Sequence, residues 1–403
     1  MKKMEKCEIC GNKELVPVLD LGEHPLCDDL IKIGSSEICK EYPIKILYCN
    51  HCYSAHQQYQ VEKEILFSDS YHYRSRFTED VLKGMQDFVR SCEGRMGSLN
   101  GKTIVDVGCN DGSLLNYFRD SGCSTIGVEP SSACFDAEKN GHEVYHQYFT
   151  TEIARQIREK HKHVDLITFT NVFAHIDDLP SLLKAVTALS DQGTVLVIEN
   201  HYLGEIVEKH QFDTFYHEHP RTYTLRSFEV IAHSMGKKLL DVQFPQRYGG
   251  NIRVYIGDEK ISTDEVSLDR IRMALAKENG FCNNLKSMQS FIDEWKRTKY
   301  AEICKYVEKY GKLRAKAFPG RAAILIKLLN LNTDHISAVY EKPGSMKIGN
   351  YVPGTRIEIH SDDELFGMED QTAPILNLAW HIKPEIRNYL EKNGYQGEVI
   401  DIV

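Results

Sequence analysis

The stretch "KTIVDVGCNDGSLLNYF", Lys102 to Phe118, decides the fold. A short β-branched run leads into two glycines, and apolar residues at helical spacing follow, which reads as strand, turn, helix. Further β-type runs come after it in "STIGVEPS", "VDLITFTNV" and "GTVLVIENH", each separated from the one before by a helical stretch. Alternation of this kind predicts an α/β architecture with a parallel sheet covered by helices on both faces. Ligands of such sheets bind at the carboxyl ends of the strands.

The turn itself reads Asp106-Val107-Gly108-Cys109-Asn110-Asp111-Gly112. A dinucleotide fingerprint would be G-x-G-x-x-G; here the middle glycine is missing and two acids are present, which repel a pyrophosphate. They suit a cationic ligand with an amino-acid tail, and S-adenosylmethionine (SAM) is a sulfonium carrying an ammonium group. Glu129 closes the second strand, beside Pro130, where a carboxylate can accept both ribose hydroxyls. The expectation is a class I SAM methyltransferase domain of Rossmann-like build, with a degenerate NAD site as the alternative.

Around this core the chain has 403 residues, 42% hydrophobic and 27% charged, enough for two or three packed domains. No run approaches the roughly 18 to 20 apolar residues of a membrane span, and "MKKMEKCEIC" enters a cysteine motif without an apolar signal region, so a cytoplasmic protein without membrane contact is expected. With 49 basic against 58 acidic residues, a net charge of −9 and no basic block, nucleic acid is not an expected partner. A monomer or weak homodimer is expected.

Twelve cysteines in such a chain read as thiols and metal ligands rather than disulfides. Cys7 and Cys10 in "CEIC" and Cys49 and Cys52 in "CNHC" form two C-x-x-C knuckles, which together complete the S₄ shell that zinc prefers. Four cysteines leave no open position for water, so the zinc is expected to be structural. Cys27, Cys39, His24 and His51 rank lower as ligands.

Taken in order, the paired cysteines, "LGEHPLCDDL", "VDVGCNDGSLL", "GVEPS", "NVFAHIDD", "YHEHPRTYT", "YGGNIRVYI", "GNYVPGT" and "LNLAWHIKPEI" make the chain resemble the sugar C-methyltransferases that act on keto intermediates of nucleotide-linked deoxysugars. The resemblance implies three regions: a zinc-binding domain over 1–70, a SAM-binding domain over 71–257, and a smaller α/β domain over 258–403 that helps hold the nucleotide sugar. It also implies that Tyr216, Glu218 and His219 act in catalysis and that Asn171 lies in the active site. One departure stands out. Relatives usually carry a "GYGA"-type turn at the start of the last domain, where this chain has "FPGRAAILIKLLN", leaving Gly320 to approach a phosphate.

The chemistry of "FDTFYHEHPRTY", Phe212 to Tyr223, fits that reading. Methylating a sugar carbon requires a base near the carbon and a donor near the ketone oxygen, so that an enolate forms. His219, with an ordinary pKa of about 6.5, suits the base; Tyr216 suits the donor, and Glu218 either orients His219 or grips a hydroxyl. If the segment is extended, His217 and His219 share one face and Tyr216 and Glu218 the other, although Pro220 makes a bend plausible. A His217–His219 metal pair and a purely structural loop are the competing readings.

For substrate contacts the candidates are Tyr71, Tyr73 and Arg74 in "SYHYRSRFTED", Glu199, Arg247 and Gly250, with Arg221 and Arg253 as further partners for a diphosphate. Residues 268–317 read as long amphipathic helices, "AAILIKLL" and "HISAVYE" as strands or a strand and a helix, and "PILNLAWHIKPEIRNYL" as a strand running into a helix. Two rival functions remain: O- or N-methylation of a similar sugar, and a zinc-stabilised SAM-binding module without catalysis.

Overall fold

The computed structural model describes residues 1–66, 75–77 and 79–403. Numbered within the central sheet, the strands are β1 (Thr103–Val107), β2 (Ser124–Val128), β3 (Glu143–Tyr145), β4 (Leu166–Thr170), β5 (Val195–His201), β6 (Lys237–Gln243) and β7 (Asn251–Asp258). They lie in the order β6-β7-β5-β4-β1-β2-β3. The neighbours from β5 to β3 are parallel, as the alternation predicts, whereas β7 runs antiparallel to both β5 and β6.

Local sequence explains the first unit. The helix Ser113–Asp120 buries Leu114, Leu115 and Phe118 against the sheet. Gly112 precedes it with φ 76°, a left-handed conformation that glycine adopts without strain. Two later helices start on side-chain caps, Thr150 accepting from the Ile153 amide and Asp178 from the Ser181 amide.

The N-terminal lobe is an antiparallel sheet of Leu15–Pro25, Glu41–Cys49 and Ala55–Gln57. Its edge is completed by Arg221–Thr222, a strand that comes from the middle of the chain. A second pairing, Ile31–Lys32 with Asn350–Tyr351, ties the lobe to the C-terminal part.

After the helices Glu265–Lys277 and Phe281–Tyr310 comes a second, all-parallel sheet. Its order is Ile359–Ser361, Ile336–Glu341, Leu313–Lys316, Ile375–Asn377, Val399–Asp401. The strand Leu313–Lys316 corrects the helical reading of residues 268–317. Gly311, with φ 79°, ends the long helix, and four residues are too few to show a period against the charged pattern around them. Of the two readings of "AAILIKLL" and "HISAVYE", the structure has a helix and a strand, Ala322–Leu328 and Ile336–Glu341. Among the described residues no helix is long and apolar enough to cross a membrane.

Candidate active site

A cavity of about 1130 Å³ opens at the carboxyl ends of the central strands. One end is lined by Gly108, Asn110, Glu129 and Pro130. Gly108 has φ 75°, and a Cβ there would lie 2.5 Å from Val172 Cγ2, so only glycine fits this turn. Glu129 accepts the Asn110 amide on Oε2 at 3.0 Å and the Ser131 amide on Oε1 at 2.8 Å. Each oxygen retains a second lone pair, so the carboxylate can still take two ribose hydroxyls. The residues at this end therefore fit SAM.

The other end holds Tyr216, Glu218 and His219, with His175, His201, Asn171, Arg321 and His381 around them. The segment is a turn, not an extended strand: the His219 amide donates to the Tyr216 carbonyl at 2.9 Å. Tyr216 and His219 consequently fall on one side, and the phenol hydroxyl lies 3.0 Å from His219 Nε2. His219 Nδ1 faces the Thr214 carbonyl at 3.3 Å. A carbonyl only accepts, so Nδ1 carries the proton and Nε2 is left as the acceptor of the Tyr216 hydrogen.

Electrostatics at this end differ from the ordinary histidine value expected from sequence. Burial first, then the neighbouring rings of His175 and His201, push His219 well below 6.5. The two rings lie 4.9 and 5.2 Å from that of His219. The burial and the neighbouring rings thus favour the neutral imidazole at His219. Glu218 moves the other way: burial and then the Asp28 carboxylate raise it to about 8. His175 donates from Nδ1 to the Glu218 carbonyl at 2.9 Å, bracing the turn from the central domain.

In the N-terminal lobe the sulfurs of Cys7, Cys10, Cys49 and Cys52 all lie within 4.8 Å of one another, with Cys7–Cys52 at 3.4 Å and Cys10–Cys49 at 3.5 Å. Four thiols at those separations fit a tetrahedral Zn–S shell, whose bonds are about 2.3 Å.

Three family models match in tandem: "Putative zinc binding domain" over residues 7–67, "Methyltransferase domain" over 77–242 and "C-methyltransferase C-terminal domain" over 246–400. Together the three matches span most of residues 7–400 in that order. It is similar to C-methyltransferase NovU of Streptomyces niveus, 26% identical over 98% of this chain and 95% of that one. A shorter likeness, 26% over 24% of this chain and 43% of the other, is to a ubiquinone biosynthesis O-methyltransferase of Nitrosomonas europaea. Among solved structures, magnesium protoporphyrin IX methyltransferase of Synechocystis PCC 6803 with bound SAM overlays with a TM-score of 0.34 at 13% identity, covering 44% of this chain and 79% of that one.

The protein is a SAM-dependent methyltransferase with a zinc-binding N-terminal domain. Several residues named from its sequence have other employment. Asp106 is buried, accepts Thr168 Oγ1 at 2.6 Å, and is raised by burial to about 7; it stands behind the cavity wall. Asp111 accepts the Ser113 amide and hydroxyl at the helix start, and Gly112 packs against Ala137 and His142.

Glu199 is fully buried, with Arg247, Arg253 and Asn251 all donating to its two oxygens, so it cannot hold a sugar. Arg253 is thereby engaged, and Arg221 is buried against Glu8 and Tyr223, which removes both from the diphosphate role. Arg247 does line the cavity, bonded to Glu199 at 2.6 Å. Gly250 makes room for the Glu205 side chain. His217 bonds the Tyr42 carbonyl at 3.0 Å, away from His219, which rules out a metal pair. Gly320 lines the cavity beside Cys27 and Asp28 of the N-terminal lobe, where a Cβ would lie 3.1 Å from Asp28 Oδ1. Tyr71, Tyr73 and Arg74 lie outside the described residues.

Sequence reasoning missed His175, His201, His381 and Arg321. Each sits at the end of a β-type run or in the turn after one, which is where α/β sheets place their sites. That positional rule was the available signal.

Proposed function

We propose that the enzyme methylates a carbon next to the ketone of a nucleotide-linked sugar, through an enolate made by the Tyr216–His219 pair. The observation that carries this reading is that the hydrogen-bonded phenol and imidazole open onto the same cavity as the Glu129 end. When bound, SAM supplies an electrophilic methyl group on a sulfonium; making a nucleophilic carbon is left to the chain.

The proton leaving the sugar carbon ends on His219 Nε2, directly or by passing to the Tyr216 oxygen as the phenol hydrogen moves to the ring. The imidazolium so formed is opposed by the negative charge of the enolate, which offsets the low proton affinity of the empty site. Asn171, with φ 54° and its amide held by the Glu199 carbonyl at 2.8 Å, presents its side chain to the same space. Glu218, held near pH 8 and mostly protonated at neutrality, can donate to a sugar hydroxyl.

The test is to incubate the zinc-loaded enzyme with 4-ketosugars linked to different nucleotides in D₂O, without SAM. A carbon acid exchanges hydrogen for deuterium at the position later methylated, and His219→Gln is expected to slow both exchange and methyl transfer by about 100-fold or more. Methyl transfer without any exchange would instead indicate a hydroxyl or amine substrate. SAM binding with no product on any ketosugar would remove the sugar from the reading.

A further inference from the structure

The turn that carries Tyr216 and His219 is gripped from outside by the C-terminal domain. Arg321 follows Gly320 in the turn after the strand Leu313–Lys316, and its side chain is 10% exposed. Its Nε lies 3.2 Å from Asp213 Oδ2, and Nη1 donates to Thr214 Oγ1 at 3.0 Å. Trp380, from the loop after the strand Ile375–Asn377, donates its indole hydrogen to the same Asp213 oxygen at 3.0 Å. The Arg321 guanidinium stands 5.8 Å from the centre of the Trp380 ring. Two residues from adjacent strand ends of the second sheet thus hold Asp213 and Thr214, just ahead of the reactive turn.

The next link is the Thr214 carbonyl, which receives the His219 Nδ1 hydrogen. That bond decides which ring nitrogen is protonated, and therefore that Nε2 is the one facing Tyr216. We propose that Arg321 is a positioning residue for the proton-accepting pair, acting through Asp213 and Thr214 to hold the Thr214 carbonyl on His219. The proposal rests on His219 as the proton acceptor.

An arginine is required because a single planar group must reach both partners at once: the carboxylate from Nε and the hydroxyl from Nη1. A lysine would supply charge to Asp213 without that fork. Asp213 is itself buried, so the cation also balances a carboxylate that has little access to water.

The test uses the full-length, zinc-loaded enzyme labelled with ¹⁵N-histidine, with the His219 signals assigned by their loss in His219→Gln. Wild type is expected to show Nδ1 protonated and Nε2 unprotonated. In Arg321→Ala the His219 signals are expected to move to a mixture of tautomers, and kcat to fall about 100-fold, as a misplaced catalytic group does. KM and SAM affinity are expected to stay within about threefold. Arg321→Lys should recover part of the loss, to within about tenfold of wild type.

An unchanged tautomer in Arg321→Ala, with or without a loss of kcat, overturns the proposal. If that variant fails to fold, Thr214→Val, which removes only the hydroxyl bonded to Nη1, is read in the same way. The tautomer is measured without substrate. A wild-type enzyme inactive on every ketosugar would therefore refute the proposed reaction while leaving the Arg321 measurement to be judged separately.

Discussion

The mixed central sheet and the parallel C-terminal sheet of this enzyme share one device and use it to different ends. In the central sheet the acid ending the second strand, Glu129, holds a backbone amide of the turn after the first, that of Asn110. In the C-terminal sheet the acid ending Ile336–Glu341 does the same for Phe318, in the turn after Leu313–Lys316. Around Glu129 the turn is opened by Gly108 and faces the cavity. Around Glu341 the turn also reaches the cavity, but Gly320 is packed beside Cys27 and Asp28, and Arg321 is tied to Asp213 and Thr214. The same topology therefore makes an open end of the cavity in one domain and a brace at its other end in the second, and the difference lies in what packs against the turn.

Removing zinc should break this arrangement most severely. The strand Ala55–Gln57 pairs with Arg221–Thr222, just beyond His219, and the Cys52 carbonyl accepts the Thr224 hydroxyl at 3.3 Å. Chelation, or Cys49→Ser, is expected to abolish methyl transfer while SAM affinity, measured by calorimetry, changes by less than about threefold. Structural zinc sites contribute about 10 kcal/mol or more to the folds they hold. An apo-enzyme that turns over normally would show that the lobe does not support the reactive turn.

The next test concerns the C-terminal sheet alone. Lys316 is buried and paired with Asp362 at 3.0 Å, and Asp362 also accepts the Tyr389 hydroxyl at 2.9 Å. Lys316→Met leaves that carboxylate buried without its cation, so urea denaturation should show a loss of about 3–5 kcal/mol.

The two acids can then be compared directly. Glu129→Ala should weaken SAM binding about 100-fold, two hydrogen bonds to a charged group at about 1.5 kcal/mol each. Glu341→Ala should leave SAM affinity unchanged and lower stability by about 1 kcal/mol, since Glu341 is only half-buried. Equal effects of the two on SAM would erase the distinction drawn here.

The last test is of pH. Burial, reinforced by Arg321, depresses His201 and His381 from 6.5 to about 3. The unfolded chain binds protons on these residues below pH 6.5 while the folded protein does not, so stability falls as pH drops from about 6.5 toward 3. Each contributes at most about 1.4 kcal/mol per pH unit. Urea midpoints at pH 7, 6 and 5 should show a shallower fall in His381→Asn than in wild type.

Much of the central domain was legible because its signals are local. A glycine turn between a β-branched run and an amphipathic helix occupies some 15 consecutive residues, and the cysteine knuckles carry their spacing with them. The reactive segment was legible as chemistry but not as geometry: the sequence names Tyr216 and His219, and the turn that brings them together depends on partners far along the chain. The antiparallel β7 and the four-residue strand Leu313–Lys316 were not legible, since neither pairing direction nor so short a strand leaves a periodic trace.

By itself the sequence determined the α/β class, the paired cysteines of the zinc site, the glycine turn at the cavity and the titratable residue types of the Tyr216–His219 segment, because backbone conformation and ligand chemistry act over neighbouring residues. Only the tertiary structure decided which charges are free. Glu199, Arg221 and Arg253 look available in the sequence and are neutralised by partners brought in from other elements. Arg321 and the histidines around His219 gather from separate strand ends. The physical reason is that a buried charge or imidazole takes its properties from whatever the fold places within a few ångströms, and that is a matter of packing, not of spacing along the chain.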